Sequence, residues 1–256
     1  MLEEIILREI ESTEEEVSVV LKSLSKNQWI FKHNEEKVLP SASTIKILIM
    51  VEAFRRIELG EHRIDEKIKV AERDKVDFSI ITELDKDEYK LIDLIIWMII
   101  ISDNTATNVL IDLLGYEEIN KMAELLNCKN TVLQRKMMDF EAVKLGKENL
   151  TTALDMALIM EAIYNKTILS EKSCNMMIDI LKRQRHRDKL PRYIVDDVAL
   201  ANKTGELDGI NHDIGIFYLR NLDYLIGVFT TDGKDDISGK KTIGRISETV
   251  YKYFTR

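Results

Sequence analysis

Apolar residues open the chain at helical spacing: Leu2, Ile5, Ile6 and Ile10 share one face, which predicts an amphipathic helix. Residues 17–24 and 28–32 are rich in β-branched and aromatic side chains and read as two strands joined around Ser25-Lys26-Asn27. Residues 43–59 look helical, with Gly60 as a stop. From 61 to 182 the pattern is mostly helical, including 89–101 and 104–114, the latter ending before Gly115. The period then changes. Stretches 198–202, 214–219 and 224–231 read as strands, the last two forming a hairpin across Arg220-Asn221-Leu222-Asp223. A final helix carries Ile243, Ile246, Val250 and Phe254 on one face. No repeat, low-complexity tract or flexible linker interrupts this order.

Strands at both chain ends with helices between them predict an α/β plus all-α architecture, in which the two ends build one antiparallel sheet flanked by the terminal helices. The expected division is a discontinuous sheet domain, 1–40 with 184–256, and an inserted helical domain, 41–183. The cleft between them is the natural place for a site. Composition agrees with a helix-rich globular chain: 256 residues, 45% apolar, with only two Pro and ten Gly. Cys128 and Cys174 are too few for a disulfide framework and read as buried free thiols. The four His, at 33, 62, 186 and 212, are too scattered for a metal site, so neither metal nor cofactor is expected.

A net charge of −8 excludes sequence-independent nucleic-acid binding. The longest apolar run, 94–101, is far short of the roughly 20 residues that span a membrane. The first residues are acidic where a secretory leader is basic, so as it reads the chain is expected in the cytoplasm, or outside it if a leader has been trimmed. The sequence sets no oligomeric state.

No Gly-x-Ser-x-Gly elbow, phosphate loop or dinucleotide fingerprint appears. Ser43-Thr44-Ile45-Lys46, just before the apolar run 47–51, places a hydroxyl at a helix start and an amine three residues on. A buried lysine near other cations loses proton affinity and can act as a base toward that hydroxyl. The pattern recurs at Ser23 to Lys26 and Ser238 to Lys241, and Ser43 as a helix cap with a solvated Lys46 is the alternative. Ser102-Asp103-Asn104 falls in a turn between two helical patterns, or caps the second. Lys203-Thr204-Gly205 closes an apolar strand, where Gly205 would let a substrate approach the backbone, or is simply a strand end and turn.

These three motifs, in this order and these contexts, match the class A β-lactamases and penicillin-binding proteins. From about Val17 to the C-terminus the chain resembles that family of penicillin-recognising serine hydrolases, with support from Phe78-Ser79, Thr82-Glu83, Thr151-Thr152 and Thr230-Thr231-Asp232-Gly233. The resemblance implies the β-lactamase/transpeptidase-like fold and a small-molecule β-lactam or peptidoglycan-like peptide as substrate. It implies that Ser43 is acylated, with Lys46 its base or relay, and that Ser102 passes a proton to the leaving nitrogen. Asn104 would bind the substrate's side-chain amide, and Lys203 and Thr204 its carboxylate. The backbone N–H groups of Ser43 and Glu206 would form the oxyanion hole. Phe78 is either the aromatic wall of the cleft mouth or ordinary core.

Two departures bear on turnover. The family Glu that activates the deacylating water stands two residues after an arginine. Here Arg135 is followed by Lys136 and Met137, with Asp139 and Glu141 as the nearest carboxylates, which are substitute bases or plain surface charge. Leu150 stands where the loop's closing Asp pairs with that arginine. His212 falls near an arginine that assists carboxylate binding, as a weaker contact or a structural imidazole beside Asp213. The expectation is a β-lactamase-like enzyme with complete acylation machinery and slow deacylation. A D,D-peptidase, an esterase or a non-catalytic sensor are the alternatives.

Overall fold

The computed structural model describes residues 1–256, of residue 236 the backbone only. Helix α1 (Leu2–Glu11) leads into strands β1 (Glu16–Ser23) and β2 (Gln28–His33), then the short β3 (Leu39–Pro40) and a 3-10 turn, Ala42–Ile45. Helix α2 (Lys46–Glu58) follows, then a ribbon of β4 (Lys67–Lys69) and β5 (Glu88–Lys90). Helices α3 (Leu91–Ile100), α4 (Asn104–Leu114), α5 (Tyr116–Leu125) and α6 (Phe140–Lys144) precede β6 (Leu150–Thr151), which pairs with β3. Helices α7 (Ala153–Tyr164) and α8 (Glu171–Leu181) lead to β7 (Ala199–Leu207), β8 (Ile210–Tyr218), β9 (Asp223–Thr231) and α9 (Asp236–Thr255).

The main sheet is antiparallel, in the order β2-β1-β9-β8-β7, so the first long strand pairs with the last and both chain ends enter one sheet. Because side chains alternate along a strand, Val17, Val19 and Leu21 meet Leu2, Ile6, Ile243, Ile246 and Val250 on one face. Val20, Ile214, Ile216, Leu225 and Phe229 face the opposite way, into the core around α2. A sheet covered on both faces reads as continuous apolar runs, and β1 is buried along all but its first residue. Among the described residues no helix is long and apolar enough to cross a membrane.

Some expected elements shift. Ile5 is exposed while Leu2 and Ile6 are buried, because neighbours on a helix point about 100° apart and only one of the pair can face the sheet. The helix expected from 89 starts at Leu91, since Tyr89 pairs with Ile68 in the β4–β5 ribbon. Strand β7 does not close at the Lys203-Thr204-Gly205 motif. It runs on to Leu207, because β8 begins at Ile210 and pairs with it throughout. The polar triplet Asn211-His212-Asp213 concealed that extension, yet all three side chains are buried.

Candidate active site

Strand β7 is an edge of the sheet, and a cavity of about 640 Å³ opens between it, the Ala42–Ile45 turn, the α3–α4 turn and the segment 135–149. Ser43, Phe78, Ser102, Asn104, Met137, Thr204 and Glu206 all line it. Residues more than a hundred positions apart thus share one space.

Ser43 sits in the 3-10 turn and caps no helix; the cap position of α2 falls on Ile45. The turn is held by Thr44 Oγ1 donating to Ser41 O at 2.6 Å, and Ser41 N donates to Asn149 O at 2.7 Å, which ties it to the far side of the cavity. Gly205 also has a packing role, beside any approach of a substrate. A Cβ there would stand 3.1 Å from Ala42 Cβ and 3.2 Å from Ser43 N, so the glycine admits the turn that carries the serine.

Lys46 is fully buried, which removes the solvated alternative. Its Nζ donates to Ser102 O at 2.7 Å, Ser102 Oγ at 3.1 Å and Asn104 Oδ1 at 2.8 Å. None of these bonds goes to Ser43 Oγ. Burial lowers its pKa to about 7, against a smaller opposing pull from Asp103. Lys203, also fully buried, donates to Ser102 Oγ at 3.1 Å and to Thr204 O at 2.7 Å. Burial, then the charge of Lys46, pushes its pKa well down. The Ser102 hydroxyl therefore stands equidistant from two amines, with its own proton free to turn toward the cavity.

Asp103 organises this wall from behind. It caps α4 by accepting from Ala106 N at 2.8 Å, and it holds Ile80 N at 2.7 Å and Ser79 Oγ at 2.9 Å. Asn104 Nδ2 donates to Asp77 O at 3.2 Å. These bonds fix Phe78, which is 79% exposed and stands at the mouth of the cavity, not in the core. Backbone strain gathers here. Ala42, Phe78, Ser102 and Met138 all line the cavity with φ between 45° and 62°, a region that residues other than Gly, Asn and Asp rarely occupy.

The opposite wall has a different make-up. Met137 is buried and lines the cavity, and Asn108 clamps its backbone: Met137 N donates to Asn108 Oδ1 at 2.8 Å, and Asn108 Nδ2 to Met137 O at 3.2 Å. Asp139 and Glu141 are absent from the cavity lining. Asp139 caps α6 through Ala142 N at 3.0 Å, and Glu141, 81% exposed, pairs with Lys144. Both are helix-terminus charges, which corrects their reading as substitute bases. The loop is nevertheless closed. Arg135 Nε and a second guanidinium N–H bond Glu148 Oε1 at 2.9 and 2.8 Å, two residues before Leu150. Lys136 pairs outward with Asp74 and Asp112 at 3.0 and 2.6 Å.

His212 is corrected as well. It is fully buried behind the strand, outside the cavity lining, with Nδ1 2.7 Å from Asn211 O and Nε2 2.9 Å from Pro40 O. Burial lowers its pKa to about 4, so it is neutral at pH 7 and has no face for a carboxylate. The cavity is lined instead by Glu148, His186, Asp188, Lys189 and Lys240, among others, which no motif singled out. Only Asn108, one turn after Asn104 on the same helix, left a trace in the sequence.

The family model described as the β-lactamase enzyme family matches residues 1–254. A β-lactamase of Proteus vulgaris is 27% identical over 93% of this chain and 90% of its own. BRO-1 of Moraxella catarrhalis, a β-lactamase, is 26% identical over 90% of this chain and 77% of its own. Among solved structures, the Sphaerobacter thermophilus β-lactamase superposes with a TM-score of 0.88 at 29% identity, over 98% of this chain and 95% of that one. PBP-A, solved also as a variant in acyl-enzyme complex with penicillin G, superposes with a TM-score of 0.90 at 25% identity, over 99% and 96%.

Proposed function

The chain belongs to the β-lactamase enzyme family, and from that premise we propose that it is a serine hydrolase that opens β-lactam amides through an acyl-enzyme on Ser43, with release of the acyl group as its slow step. The observation that carries the first half is the Ser102 hydroxyl at 3.1 Å from both Lys46 and Lys203, beside Ser43 in one cavity. A lysine whose pKa is about 7 is substantially neutral at physiological pH and can take the Ser43 proton. Ser43 Oγ then attacks the carbonyl carbon, and the backbone N–H groups of residues 43 and 206 hold the developing oxyanion. When the C–N bond breaks, Ser102 gives its proton to the departing nitrogen and is reprotonated from Lys46. Asn104 takes the substrate's side-chain amide, and Phe78 packs over it. The cavity is lined from both proposed units, Ser43, Ser102 and Asn104 from 41–183 and Thr204 and Glu206 from 1–40 with 184–256.

Met137 carries the second half. Water needs a base to attack the ester, and a thioether accepts no proton, so hydrolysis loses a contribution of roughly 10²- to 10⁴-fold. The same observation favours one further reading, a D,D-peptidase on peptidoglycan-like peptides, which needs the same acylation residues without that base. Intact-protein mass spectrometry after mixing with penicillin G tests both halves. A mass increase on Ser43 that decays slowly is expected; no adduct with any β-lactam defeats the serine assignment, and release within the mixing time defeats the slow step.

A further inference from the structure

Lys203 commits N–H donors to Ser102 and Thr204 and is fully buried behind the cavity lining, so it alone is a poor partner for a substrate carboxylate. His212 offers no donor, being neutral and bonded behind the strand. A carboxylate in this cavity therefore needs a further cation. Beside Thr204, on the same side of β7 by the two-residue alternation of a strand, stands Glu206, a carboxylate that would repel it. Two lysines hold Glu206. Lys189 Nζ lies 2.8 Å from Oε2, and Lys240 Nζ, reaching in from α9, 2.9 Å from Oε1. Lys240 also pairs with Asp188 Oδ2 at 3.0 Å. The four side chains come from β7, α9 and the segment between α8 and β7, and sum to zero charge.

The network is built to exchange a partner. Glu206 is 43% exposed and can swing into solvent, whereas the Lys189 side chain is 1% exposed and cannot. Asp188 Oδ1 is buried without a hydrogen-bond partner, 3.9 Å from Lys189 Nζ, so an alternative anchor for that amine is already in place. If Glu206 leaves, two cations remain facing the cavity with Asp188 to steady them.

Resting on the serine-hydrolase reading above, we propose that Lys189 and Lys240 receive the substrate carboxylate and that Glu206 is their exchangeable counter-ion, displaced as the substrate enters. This assigns the site a preference for anionic substrates and places its control in residue 206.

The test compares penicillin G with its methyl ester, which differ in that one charge, by the second-order rate constant of acylation read from intact mass. Removing the competing carboxylate in Glu206→Gln raises the acid-to-ester ratio, by roughly 10-fold if one charge-assisted bond is at stake. Lys240→Gln, at a partly exposed position, lowers the ratio by a similar factor, and Lys189→Met lowers it further if that variant folds. A ratio that falls in Glu206→Gln, or that moves in neither Glu206→Gln nor Lys240→Gln, overturns the proposal while leaving acylation of Ser43 intact. Absence of an adduct with both probes overturns the serine reading itself.

Discussion

On the wall that carries Ser43 and Ser102, with Lys46 and Lys203 fully buried behind it, all four side chains are polar, and the bonds of the two amines converge on one hydroxyl. On the wall formed by residues 135–149, the side chain facing the same space from the best-anchored position is Met137. Both walls are equally well built. Asp103 pins the first through Ser79, Ile80 and Ala106, and the second is held at three points, by Asn108, by the Arg135–Glu148 pair and by Lys136. The contrast is chemical, not one of order: one wall gathers hydroxyls and amines, and the other presents a thioether at its clamped position, which is the basis of the proposed slow release.

The largest effect that tests this contrast is loss of the nucleophile. Ser43→Ala abolishes the penicillin adduct, and peptide mapping of wild type places the adduct on residue 43; an adduct on Ser23 or Ser238 overturns the assignment of the first wall.

Lys46→Ala slows acylation by roughly 10²- to 10⁴-fold, the usual range for a positioned general base. In wild type the acylation rate rises with pH and levels off above an inflection near 7, because only the neutral amine accepts the serine proton. The sign matters. A rate that falls as pH rises through 7 shows that Lys46 works as a cation.

Met137→Glu sharpens the other side. Asn108 fixes the backbone of residue 137, so a carboxylate there enters the cavity at a defined place, and single-turnover decay of the acyl-enzyme quickens by about 10²-fold or less, within the range of general-base catalysis. Fast decay in wild type that is lost in Glu148→Gln shows instead that Glu148, the loop carboxylate lining the cavity, is the working base.

The smallest effect concerns the anchoring itself. Asn108→Ala removes two buried bonds to the loop backbone and costs about 1–3 kcal/mol of stability, read as a lowered Tm. Combined with Met137→Glu it blunts the gain in deacylation. An undiminished gain means that the loop is placed by Arg135–Glu148 alone.

Much of this was legible in one dimension. Hydrophobic period alone reads the two ends as sheet and the middle as helix, since burial repeats every two residues in a strand and every three to four in a helix. The motifs at Ser43, Ser102 and Lys203 are short because their members act within one turn or one strand, where the backbone spacing itself brings them together. The expectation for Met137 is likewise local, a fixed offset from Arg135 within one loop.

Tertiary structure alone decided what depends on contacts between distant segments. Gly205 lies tight against the turn at Ala42 and Ser43, more than 160 positions earlier. Arg135 closes its loop on Glu148, two residues before Leu150, because the folded loop backbone sets which carboxylate meets the guanidinium. His212, polar in the sequence, is buried between two carbonyls, while Asp188, Lys189, Glu206 and Lys240 are gathered from two elements and a connecting segment into one neutral network. A charged side chain shows no periodicity of its own, and its partner is whichever opposite charge the folded backbone brings within about 4 Å.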